Sequence, residues 1–227
     1  MSENNATSLI KEVLLTKGSI KQDVYSTIKQ VFGWLGEVLE ELAVELKDIT
    51  QQDQRIELEF KKVSETEYHF ICAGDYLVFQ MHTNVFKFQP NHGVYKTSYV
   101  SQDELRAYCG MIYMYNFLSD SLRYNRLNDL GYLIGRIFVN QEYHYMVEGK
   151  RQLGFLYNNF SAAVLTKEEL ANIIKSAVLY SIDFDMFIPP YQEMSVLSIH
   201  ELNQLSKFQS IKTGKRLGFK FSADDSE

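Results

Sequence analysis

The chain has 227 residues, 45% of them apolar and 23% charged, with a formal net charge of −6. That is length enough for one sizeable core and the composition of an ordinary globular protein, which excludes extensive disorder. The acidic balance argues against a general nucleic-acid binder, which must neutralise phosphates with Lys and Arg.

Cys72 and Cys109 lie in apolar runs and read as small buried hydrophobes, not as a disulfide framework or a zinc site of paired cysteines. No basic start followed by an apolar run opens the chain, and no apolar run approaches the ~18 residues of a membrane helix. We therefore expect a cytoplasmic protein without membrane contact. The 15 Tyr and 15 Phe read as core residues before they read as a stacking surface.

In chain order, Leu9, Ile10, Val13 and Leu14 give residues 7–16 a short helical face. Gly18 predicts a left-handed stop, and Ser19 with Gln22 a capping box, so an antiparallel helical pair is expected over 1–50. The second helix is the element the chain is built around. Val24, Ile28, Val31, Leu35, Val38 and Leu42 step by four and three residues, with Ile20 and Ile49 extending the row and Phe32, Trp34, Leu39 and Leu46 widening it. Glu37, Glu40, Glu41, Glu45 and Asp48 keep the outer face wet. A helix this amphipathic must lie on a sheet or on another helix.

From Ile56 the period changes to two. Ile56, Leu58 and Phe60 alternate with charges; residues 68–73 form a second strand; Gly74-Asp75 is the expected hairpin turn; and 76–88 is a long third strand bulged near Asn84. Residues 94–100 predict a short strand, and Ser101 with Glu104 the cap of a helix that gives way to a strand over 109–118. A polar loop or short helical turn, 119–130, leads to a hairpin of 132–140 and 143–149 turning at Gln141-Glu142. Thr166 with Glu169 caps a helix ending near Asp183; Pro189-Pro190 stops regular structure; Ser198 with Glu201 opens a last short helix.

Several residues carry candidate chemistry. Asp129, a hairpin, and then Glu148-Gly149-Lys150 resemble the PD-(D/E)xK nuclease pattern, which implies two carboxylates, with Asp120 as the other candidate acid, on one Mg²⁺ and Lys150 beside the attacking water. The register opposes it. A turn at Gln141-Glu142 sets Glu148 opposite about Gly135, leaving Asp129 about 20 Å further along and Arg136 as the neighbour of Glu148. Asp183-Phe184-Asp185 offers a carboxylate pair at a helix end, without any Gly-rich phosphate loop. His69 and His82 are expected as diagonal neighbours across a hairpin. Lys207, Lys212, Lys215, Arg216 and Lys220, interleaved with Phe208, Phe219 and Phe221, form a basic aromatic segment, read first as the complement of the acidic helix.

The expectation is an α+β fold: an antiparallel or mixed sheet of five to seven strands packed against the long N-terminal amphipathic helix and C-terminal helices, with residues 51–222 as the main domain and 223–227 as a loose acidic tail. The leading function is a non-enzymatic protein-binding or regulatory module without a cofactor. Its partner is another protein or a second copy, met through Trp34, Leu35 and Glu41 at a seam of coiled-coil spacing. The alternative is a Mg²⁺-dependent nuclease or phosphodiesterase using Asp120, Asp129, Glu148 and Lys150. A third reading is single-stranded nucleic-acid binding through Lys212, Lys215, Arg216 and Lys220.

Overall fold

The apolar row from Val24 to Leu42 is buried along a helix that rests on an antiparallel sheet. The computed structural model describes residues 3–127 and 129–185, together with 188, 191–194, 196, 198 and 199. In chain order the elements are α1 (Glu3–Val13), α2 (Ser19–Glu45), α3 (Lys47–Gln52), β1 (Leu58–Ser64), β2 (Glu67–Cys72), β3 (Asp75–Met81), β4 (Phe86–Lys87), α4 (Ser98–Gln102), β5 (Tyr108–Leu118), α5 (Ser119–Arg123), β6 (Tyr132–Val139), β7 (Tyr145–Gly149), α6 (Gln152–Leu156), α7 (Lys167–Ile182) and α8 (Tyr191–Met194). The strand order is β1-β2-β3-β5-β6-β7, every pairing is antiparallel, and β4 lies beside β5. This is the expected α+β fold.

One face of the sheet is sealed by α2 and α7. Ile28, Leu35 and Leu39 of α2 join Phe70, Phe79 and Ile112 of the strands and Leu170, Ile173 and Ala177 of α7 in one core. Each of the Leu, Ile and Phe side chains is worth about 1.5–3 kcal/mol when fully buried. The sheet meets α2 closely at Gly110 of β5, where a Cβ would stand 2.5 Å from that of Ile28. The opposite face is covered over part of its area by the 83–107 excursion, which brings Val94, Val100 and Ala107 onto Met111, Phe138 and Met146. Cys109 is buried and Cys72 half-buried, as their apolar surroundings require.

Several local expectations are met and several are corrected. Thr166 caps α7, its hydroxyl accepting from the Glu169 amide. From Met81 to Phe86 the chain advances five residues while its partner strand retreats three, from Ile112 to Cys109. The strand expected over 76–88 with a bulge near Asn84 is therefore broken at 82–85 into β3 and β4, the two extra residues looping out of the ladder. The expected helical pair over 1–50 does not form. Gly18 keeps right-handed helical angles (φ −66°, ψ −49°), a π-helical turn over Leu14–Gly18 absorbs the junction, and α1 runs straight into α2. Residues 5–17 are all exposed, with no buried contact to draw α1 back, so helix propagation wins over the glycine stop. The β2–β3 turn centres on Ala73-Gly74, with Cys72 opposite Asp75 and Ala73 itself at φ 53°. Residues 94–100 are a 3₁₀ turn and α4 rather than a strand. The caps there are Thr97, accepting from the Val100 amide, and Asp103, accepting from the Leu105 amide, in place of Ser101 and Glu104.

Candidate functional site

Every residue from Asn5 to Lys17 is exposed. The segment is helical and strongly apolar on one side, and so would ordinarily be packed. Leu9 is 59% exposed, Ile10 58%, Val13 42% and Leu14 62%. Leu9 and Val13 lie one turn apart, as do Ile10 and Leu14, so the four make one continuous patch. Ten residues on, Val24 is fully buried, and so is Ile28. One rod therefore carries two apolar faces: α2 spends its own on the sheet, and α1 holds its face clear of the body. A helix of this length is marginal in water without something to pack on.

The face expected to meet a partner is already occupied. Leu35 is fully buried in the core, and Trp34 is half-buried with its ring stacked on Tyr143, the centroids 5.7 Å apart. Glu41 accepts from the Lys167 ammonium at 2.8 Å, Glu37 from the same ammonium at 2.7 Å, and Glu45 from Lys175 at 2.9 Å. The two carboxylates around Lys167 hold its pKa above the ordinary lysine value. The acidic row of α2 is thus docked along α7, the complement the sequence reading assigned to the C-terminal basic segment. Lys212, Lys215, Arg216 and Lys220 lie outside the described residues, as do Glu201 and the 223–227 tail.

The acids of the nuclease pattern are held apart. Arg136 pairs with Glu148 directly across β6 and β7, one residue from the expected register, and donates from its guanidinium to the carboxylate. Four strand residues, about 13 Å, separate Arg136 from Tyr132, and Asp129 lies three residues beyond that. The Asp129 carboxylate accepts from Ser121 Oγ at 2.7 Å and faces Arg126 at 3.8 Å. Asp120 is exposed in the first turn of α5, and Lys150 is exposed past the end of β7, its amide bonded to the Ile134 carbonyl. Among the described residues, no three His, Cys, Asp or Glu side chains converge so as to hold a metal ion. Asp183 caps the end of α7.

The two histidines do not meet either. Moving the turn to Ala73-Gly74 puts His69 opposite Val78, and His82 packs on Phe86 instead. Both ring nitrogens of His69 are taken, Nδ1 by Tyr76 Oη at 2.8 Å and Nε2 by Glu67 at 2.7 Å. A histidine clamped on both sides stiffens the sheet and has no free nitrogen to serve as a base.

Both lateral edges of the sheet bear on how a partner would approach. The β7 edge is covered by residues 157–165, through Val147 N to Tyr157 O at 2.7 Å and Leu165 N to Tyr143 O at 2.8 Å. The β1 edge carries Glu59, Lys61 and Lys62 and a bulge between Lys62 and Ser64, the usual guards against strand addition. No helix among the described residues is long and apolar enough to cross a membrane. No family model, no curated protein and no solved structure matches the chain.

Proposed function

We propose that the chain is a non-enzymatic protein-binding module that engages its partner through the apolar patch of α1. The observation that carries this reading is the exposure of Leu9, Ile10, Val13 and Leu14 on a helix continuous with a buried one. The rigid α2 anchor pre-organises the patch, so a partner need not bear the cost of ordering it. An apolar helix face laid into a groove or against another helix is a common recognition mode. The guarded β1 edge and the covered β7 edge leave strand addition as the poorer route.

The test is site-specific photo-crosslinking in the native cell. A benzophenone side chain at Ile10 is expected to give discrete adducts, lost in a Leu9→Glu/Leu14→Glu background; the same probe at buried Leu39 is the control. Absence of any discrete adduct at Ile10, with the protein folded and expressed, sinks the reading.

A further inference from the structure

We infer that the surface meeting the α1 patch is the same patch of a second copy of this chain, the two helices running antiparallel about a two-fold axis between Lys11 and Glu12. This rests on the reading that α1 is an interaction surface, and it names the occupant. The patch is self-complementary under that operation. Leu9 falls opposite Leu14 of the second copy, and Ile10 opposite its Val13, so the four residues of the patch cover four, while Leu15, outside the patch and 75% exposed, falls opposite Ser8.

Charge and shape favour the same occupant. The chain carries a net −6, so two copies repel over most approaches. From Asn5 to Lys17 the only charges are Lys11, Glu12 and Lys17, of both signs, and the extension is the place where like copies approach without that penalty. Antiparallel packing also opposes the two helix dipoles favourably. It sends the two bodies, each beginning at the first buried residue Val24, to opposite ends of the pair, so they do not compete for space. The thirteen exposed residues span roughly 20 Å at 1.5 Å per residue. A strip of that length about 10 Å wide falls well short of the ~800 Å² per partner of a standard stable interface. The dimer is therefore weak and concentration-dependent.

Sedimentation equilibrium on the full chain, from about 1 μM to about 1 mM, tests this. The weight-average mass is expected to rise from the 26.4 kDa of one chain toward twice that value. In Leu9→Glu/Leu14→Glu the association constant is expected to drop at least about 100-fold. These residues are exposed, and an unchanged near-ultraviolet circular dichroism spectrum confirms that the body stays folded. Orientation is read by mixing Leu9→Cys with Leu14→Cys protein under mild oxidation: the mixed disulfide is expected to exceed both homodisulfides. A one-chain mass at every concentration, association undiminished in the double variant, or dominance of the 9-to-9 disulfide each overturns the proposal. Adducts at Ile10 to a different protein with no self-association remove the second copy and leave α1 as a binding surface; neither adducts nor self-association removes both.

Discussion

Arg136 and Glu148 face each other across β6 and β7, the guanidinium of one donating to the carboxylate of the other, with both side chains 36% exposed. An ion pair this accessible contributes little to stability, and it occupies the carboxylate that a metal site would need. Glu148→Ala is therefore expected to change unfolding free energy by less than about 1 kcal/mol. Millimolar Mg²⁺ is expected to leave the thermal midpoint unmoved in both proteins. Denaturant and thermal unfolding with and without Mg²⁺ check this. A Mg²⁺-dependent rise in midpoint that Glu148→Ala abolishes would mean that the carboxylate does bind metal.

Gly33 and Gly36 sit one turn apart on α2 and predict opposite outcomes. A Cβ at Gly33 meets nothing within 4 Å, whereas one at Gly36 would stand 2.9 Å from the Tyr68 ring. That ring cannot yield easily, being stacked on Phe32 at 4.2 Å and edge-on to Phe60 at 5.8 Å. Gly33→Ala is expected to stabilise by about 0.5–1 kcal/mol, because alanine loses less backbone freedom on joining a helix. Gly36→Ala is expected to cost about 1–3 kcal/mol as the aromatic stack is pushed aside. Urea midpoints at unchanged slope measure both, and a stabilising Gly36→Ala would show that Tyr68 is looser than its packing implies.

The contrast between Leu35 and Leu9 marks how far the sequence could be read. Both belong to apolar rows of helical spacing. Periodicity found both rows and could not say which one the sheet would cover, because coverage depends on where the chain returns. The same periodicity located α2, the first hairpins and the capped start of α7, since these are set by neighbours within a few residues. The Gly18 stop failed because a glycine only permits a left-handed turn; a tertiary contact must reward it. The 94–107 excursion is not legible in the sequence because Thr97 and Asp103 bond their own following amides, a choice that short β-branched and aromatic runs do not announce. The Glu67–His69–Tyr76 contacts were out of reach for a simpler reason: a one-residue error in a turn changes every cross-strand partner.

Burial of tyrosine hydroxyls gives the protein an alkaline limit. Tyr132 and Tyr145 are 8% and 3% exposed, and burial pushes both phenols well above the ordinary tyrosine value. The Tyr145 hydroxyl also donates to Glu169 Oε1 at 3.0 Å, a bond the phenolate cannot make. Each folded-state pKa is raised, so the contribution is fully present below the unfolded value of about 10 and is lost as pH climbs toward the folded value. Stability is expected to be level through the neutral range in respect of these groups and to fall above about pH 10. Tyr145→Phe is expected to make that fall shallower. Thermal midpoints against pH, followed beside tyrosinate absorbance, test it; an identical alkaline decline in Tyr145→Phe would show that this phenol is not responsible.

Asn140 holds the turn between β6 and β7 and gives the sharpest stability prediction. It is fully buried, and all of its side-chain polar capacity is used. Oδ1 accepts from the amides of Glu142 and His144, each at 2.9 Å, while Nδ2 donates to Tyr99 Oη at 2.8 Å and to the Arg106 carbonyl at 3.2 Å. Tyr99 in turn donates to Glu142 at 2.8 Å, and its ring stacks on His144 at 4.0 Å, so one amide ties the turn to the 93–107 excursion. Asn140→Ala strands several buried partners at once and is expected to cost about 2–4 kcal/mol. Asn140→Asp keeps the acceptor for the two amides but turns a buried donor into a carboxylate facing the Arg106 carbonyl. Burial raises the pKa of that new acid, so its deficit is expected to be smallest in mild acid, where the protonated carboxyl can donate, and to grow as pH rises through its folded value. Equilibrium unfolding of both variants across pH 4–8 reads the outcome. Equal, pH-independent losses for the two would show that the turn depends on the amide's shape and not on its donors.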